Sequence, residues 1–146
     1  MRRRWALGLS VLATILWLWF IYARSAKPAV VSHAESEAVL GLLDGLLPFL
    51  DLHFVRKLAH FAEYFILGGL LWLDWRLLGR GPLLLPLGLG LAAAGADEYL
   101  QTLIPGRSGQ ISDVLLDFSG VAAAVILAQL LWRRKERKTH ANRPED

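Results

Sequence analysis

The chain has 146 residues, 55% of them hydrophobic and 20% charged, with a mean hydropathy of +0.41. It is too apolar for an ordinary soluble domain, and its apolar residues come in blocks long enough to cross a bilayer. The formal charge is +3, but the basic residues gather at Arg2-Arg3-Arg4 and between Arg133 and Lys138, where they flank apolar blocks and read as topology signals rather than a nucleic-acid surface. Cysteine is absent, which excludes disulfides, thiolate metal sites and cysteine nucleophiles.

The uncharged run from Trp5 to Ala23 matches the ~20 apolar residues a spanning helix needs. It exceeds the roughly 7–15 residue core of a cleaved signal, so it reads as a retained first span over about 5–23. Trp5 at one end and Trp17, Trp19 and Tyr22 at the other form an aromatic belt. The connection from Arg24 to Phe54 carries Val39, Leu42, Leu43, Leu46 and Leu47 at helical spacing. It predicts an amphipathic helix over about 36–47, ended by Pro48, that lies on the membrane surface or else packs on the bundle.

A second span over about 55–73 opens with Arg56, Lys57, His60 and Glu63. Trp72 and Trp75 mark its far interface, and Asp74, Arg76, Gly79, Arg80 and Gly81 read as a polar connection. The third span, about 82–104, is rich in Gly and Ala, which let helices approach closely in lipid. It has Pro86 near its start and ends at Pro105-Gly106. The fourth, about 111–132, begins with Asp113 and Asp117, and a charged tail follows from Arg133. The expected fold is therefore all-α: one integral membrane domain, a four-helix bundle with a surface helix in its first outer loop. The basic clusters place both termini in the cytoplasm.

In that topology the polar turns of three spans lie at one depth, in the outer half. Arg56 and His60, His60 and Glu63, Asp97 and Gln101, and Asp113 and Asp117 each share a helix face through i,i+3 or i,i+4 spacing. Polar groups in a membrane turn to the bundle interior, which predicts one outward-facing pocket. Arg56, Lys57 and Arg107, with Ser108 and the amides around it, suit an anion such as phosphate or carboxylate. His60, Glu63, Asp97, Glu98 and Asp113 suit general acid–base work or a divalent cation, with Asp97 or Glu98 as base and His60 as acid. No His-Glu-x-x-His motif supports zinc, so no metal ligand is assigned, and no motif specifies a cofactor. Tyr64 and Asp117 are weighed equally as ligand-binding or structural hydrogen-bonding groups. His33, His53 and His140 read as solvated.

Two other readings compete with a ligand-binding or lipid-modifying pocket. In one, the charges only pair with each other inside a non-catalytic scaffold. In the other they serve a proton-coupled carrier, which the apolar cytoplasmic halves disfavour.

The blocks Arg56-Lys57-x-x-His60-x-x-x-Tyr64, Asp97-Glu98-x-x-Gln101-x-x-x-Pro105-Gly106-Arg107-Ser108 and Asp113-Val114, with Gly120, resemble the VanZ-like membrane protein family. The likeness covers about Val55 to Trp132, with little before it; Asp117 stands where many relatives carry asparagine. The resemblance implies a bacterial integral membrane protein of the cell envelope, in a family whose namesake is associated with teicoplanin resistance. Joined to the pocket, it points to an anionic envelope lipid or lipid-linked precursor as partner. Because native cysteine is absent, single cysteines at Ser36 and His140 test the topology. An impermeant thiol reagent should label the first only from outside and the second only from inside; the reverse pattern overturns it.

Overall fold

The structure, a computed structural model, describes residues 1–43, 51–79 and 81–141. It contains α1 (Arg2–Ser25), α2 (Ala29–Leu43), α3 (Leu52–Leu78), α4 (Leu84–Thr102) and α5 (Ile111–Ala141), and no strand among the described residues. Helix α3 packs against each of the other four, and α4 also packs against α1 and α5. Cross-helix bonds fix the directions. Thr14 meets Asp74 while Arg24 meets Glu63, so α1 and α3 run antiparallel. Likewise Lys57 meets Asp113 while Trp72 meets Gln129, so α3 and α5 run parallel.

The polarity of α1 is inverted relative to a surface helix of a water-soluble protein. The buried residues of α1 are Ser10, Thr14, Ile21 and Ser25, on one face at spacings of four and seven. Its exposed residues include Trp5, Leu9 and Trp19, at 74%, 68% and 69% exposure. Apolar surface outside and hydroxyls inside is the arrangement a bilayer favours, since lipid solvates the first and not the second. Helices α1 and α5 are long and apolar enough to cross a membrane. The core between the helices is Ile21, Tyr64, Leu67, Leu71, Ala93, Ala94, Val121 and Val125.

Several boundaries differ from expectation. Helix α2 starts at Ala29 rather than near 36, because Pro28 pre-sets the first turn and its carbonyl accepts from the Val31 and Ser32 amides. Leu46, Leu47 and Pro48 lie outside the described residues, as does Arg80. Helix α3 opens on an Asp51 cap, whose side chain accepts from the Phe54 amide at 2.6 Å. It continues to Leu78, so Asp74 and Arg76 are helical and not part of a connection. Asp74 is buried and accepts from Thr14 Oγ1 at 2.7 Å, with Ser10 also buried nearby on α1. The half read as apolar therefore holds a polar contact of its own. Trp75 is buried and donates to the Gly81 carbonyl at 2.9 Å instead of marking an interface. Helix α5 runs through the charged tail to Ala141, because Arg, Lys and Glu are good helix formers. The helix expected from about 82 starts at Leu84, with Pro86 in the first turn of α4.

Two glycines set the distance between α3 and α5. A Cβ on Gly68 would stand 2.6 Å from the Val121 carbonyl oxygen, and one on Gly120 would stand 2.6 Å from that of Phe61. Both obstacles are backbone, which cannot turn aside. Gly68→Ala and Gly120→Ala should each lower stability in detergent by roughly 1–3 kcal/mol. Gly69→Ala and Gly88→Ala meet nothing within 4 Å and should be neutral or stabilising, and thermal melts of the four variants check this.

Candidate functional site

The polar residues collect where the end of α1, the first turns of α3, the last turns of α4 and the start of α5 meet. Asp97 is fully buried; its Oδ2 accepts from Ser25 Oγ at 2.9 Å and from Gln101 Nε2 at 3.1 Å. Asp117 is also fully buried, with Oδ1 3.5 Å from His60 Nδ1, at ion-pair range but without hydrogen-bond alignment. His60, Asp97 and Asp117 each present a potential ligand atom, and these atoms lie within 4.8 Å of one another. They come from α3, α4 and α5 respectively.

Next to this cluster is a cavity of about 460 Å³ between α1, α2, α3 and the loop before α5. Its charged lining is Arg24, Lys27, Arg56 and Arg107 against Glu35 and Glu63, with Ser25 and His60 also on its wall. Arg24 pairs with Glu63 at 3.3 Å, and Lys27 pairs with Glu35. The hydrogen bond from Lys27 holds the Glu35 carboxyl below its usual range. Arg107 Nη1 donates to the Ser25 carbonyl at 2.7 Å and to that of Lys27 at 3.4 Å, which ties the α4–α5 loop to the end of α1. Burial, and then the like charge of Arg56, push the Arg107 guanidinium below its ordinary pKa.

The structure thus brings together Arg56, His60, Glu63 and Arg107 at the cavity and Asp97, Gln101 and Asp117 beside it. It does not gather the rest. Lys57 and Asp113 face each other at 3.8 Å, away from the cavity lining. Tyr64 is a core residue with no exposure, its hydroxyl 3.4 Å from the Ala93 carbonyl that also accepts from Tyr22. Ser108 is exposed on the loop and lines no part of the cavity. Glu98 turns away as well: its Oε1 accepts from the Gln110 amide at 2.5 Å, holding the start of α5. Arg24, Ser25, Lys27 and Glu35 belong to the site but follow no recognisable motif. The one sequence signal is Arg24-Ser25, placed directly after the first apolar run.

Helix α4 and the loop before α5 are close there: a Cβ on Gly109 would stand 2.5 Å from Thr102 Cγ2 and 3.3 Å from the Glu98 carbonyl oxygen. Glu98→Ala should therefore act as loss of a helix cap, costing about 0.5–2 kcal/mol in a denaturation experiment. Ser108→Ala should leave stability unchanged.

No curated protein and no solved structure matches the chain. The VanZ/LLP1 family model matches residues 10–132. The match begins within α1, well ahead of Val55, and so takes in Ser25, which bonds Asp97 across the bundle. With most of its length under that one match, the chain belongs to the VanZ/LLP1 family.

Proposed function

We propose that this VanZ-like protein is a multi-pass protein of the bacterial cytoplasmic membrane, with α1, α3, α4 and α5 crossing it and both termini inside. In this reading the cavity opens outward and binds the anionic headgroup of an envelope lipid or lipid-linked precursor. The observation that carries it is the imbalance of the cavity wall. Four cations face two carboxylates there, each carboxylate already has its own cation, and among the described residues Arg56 and Arg107 form no ion pair. Two guanidinium groups without a carboxylate partner beside a cavity suit a phosphate, Arg56 in bidentate fashion and Arg107 through the nitrogens not already bonded to the Ser25 and Lys27 carbonyls. Helix α2 roofs the cavity with Ser32, Ser36 and Val39, leaving hydroxyls for a headgroup and an apolar edge for a chain. A precursor held there would have its access to teicoplanin, the antibiotic tied to the family's namesake, altered.

The test is binding of a polyprenyl phosphate and of phosphatidylglycerol to the detergent-purified protein, with phosphatidylcholine and inorganic phosphate as comparisons. Anionic lipid should bind well above zwitterionic lipid. Arg56→Gln and Arg107→Gln should each weaken binding by about tenfold or more, since a charged hydrogen bond contributes about 1.5–3 kcal/mol and about 1.4 kcal/mol is a factor of ten. Equal affinity for phosphatidylcholine, or no effect of Arg56→Gln, contradicts the proposal.

A further inference from the structure

We infer that His60, Asp97 and Asp117 form a three-ligand site for a divalent first-row metal ion, bordering the cavity. Four observations converge on it. The three side chains come from three different helices, yet their potential ligand atoms lie within 4.8 Å of one another. The two carboxylates are fully buried. The atoms left without a hydrogen-bond partner include His60 Nδ1, Asp97 Oδ1 and both carboxylate oxygens of Asp117. Buried oxygens and nitrogens in a membrane-type interior are normally satisfied; among the described residues four of the eight orphaned atoms fall on the three residues that approach one another, and the others lie singly on Ser10, Asp74, Glu98 and Trp132. Zinc–nitrogen and zinc–oxygen bonds near 2.0–2.2 Å set tetrahedral ligand atoms roughly 3.4 Å apart. His60 Nδ1 and Asp117 Oδ1 already stand 3.5 Å apart.

Charge and outer contacts fit the same reading. Two carboxylates with a neutral imidazole balance a divalent cation, so the filled site carries no net charge into the apolar interior. Asp97 is oriented by Ser25 Oγ and Gln101 Nε2, both bonded to Oδ2, which leaves the buried Oδ1 without a hydrogen-bond partner. Metal-ligating carboxylates are commonly held this way by outer partners. One imidazole and two carboxylates favour zinc or manganese over soft-ligand metals. Three protein ligands also leave an open position, as in sites that act on a bound group. Because His60 and Ser25 border the cavity, that position is reached from the side lined by Arg56 and Arg107. The site does not depend on the identity of the anion.

The test uses the detergent-purified full chain, stripped with chelator, dialysed and titrated with cobalt(II) and with zinc(II). Wild type should take up about one equivalent and develop visible cobalt bands. X-ray absorption of the zinc form should show nitrogen and oxygen neighbours near 2.0–2.2 Å and no sulfur. Asp97→Asn, Asp117→Asn and His60→Gln should each lower affinity at least tenfold. Ser25→Ala, which touches only the orientation of Asp97, should lower it by about ten- to a hundredfold. Asp74→Asn alters a buried carboxylate on α3 bonded to Thr14, far from the cluster along the helix, and should leave affinity unchanged. Wild type that takes up no metal overturns the inference, whatever the variants do. So does metal uptake that Asp74→Asn reduces as much as Asp97→Asn.

Discussion

The structure turns on the burial of two carboxylates, Asp97 and Asp117, among helices whose other inward residues are mostly apolar or small. Removing one such ion from water costs several kcal/mol even after relaxation, and among the described residues neither pairs with a lysine or arginine. Arg24 is committed to Glu63 and Lys57 to Asp113. What meets the two is His60, two hydrogen bonds to Asp97 from Ser25 and Gln101, and each other. The hydroxyl from α1 and the imidazole from α3 place the acids at a junction of helices instead of leaving them in lipid.

That junction depends on how closely the helices approach. Gly68 and Gly120 bring the α3 and α5 backbones together. Val121 of α5 packs where a Cβ on Gly90 of α4 would collide with it, so α4 is held to the same contact. Close approach makes the polar groups of separate helices neighbours, and so the small residues of the core and the charged residues of the site are parts of one arrangement. Arg107 performs the equivalent task outside the bundle, fastening the loop before α5 to the Ser25 and Lys27 carbonyls.

Much of this was legible in the sequence. Helical spacing paired Asp97 with Gln101 and Arg56 with His60. The first pair is hydrogen-bonded, and both members of the second line the cavity. Long apolar runs gave the helices, and the motif blocks gave the family. What was not legible depends on contacts between distant segments. Asp74 looks like a loop residue because a charge rarely sits inside a span, and its partner within the helix bundle, the Thr14 hydroxyl, lies sixty residues earlier. Glu98 reads as catalytic beside Asp97, but successive helical residues point about 100° apart, which turns Glu98 toward Gln110. Ser25 and Arg24 carry no motif, since an isolated serine or arginine at a helix end is ordinary until its partner is known.

The central claim is that Asp97 and Asp117 are kept together for something they bind and not for the fold. The most direct test is the melting temperature, in detergent with chelator present, of Asp97→Asn and Asp117→Asn against the wild type. Asparagine keeps the shape and removes a repelling charge, so each variant should melt at or above the wild-type temperature. If both melt far below it, by the equivalent of the about 3–5 kcal/mol that breaking a buried ion pair costs, the carboxylates are structural and the claim fails.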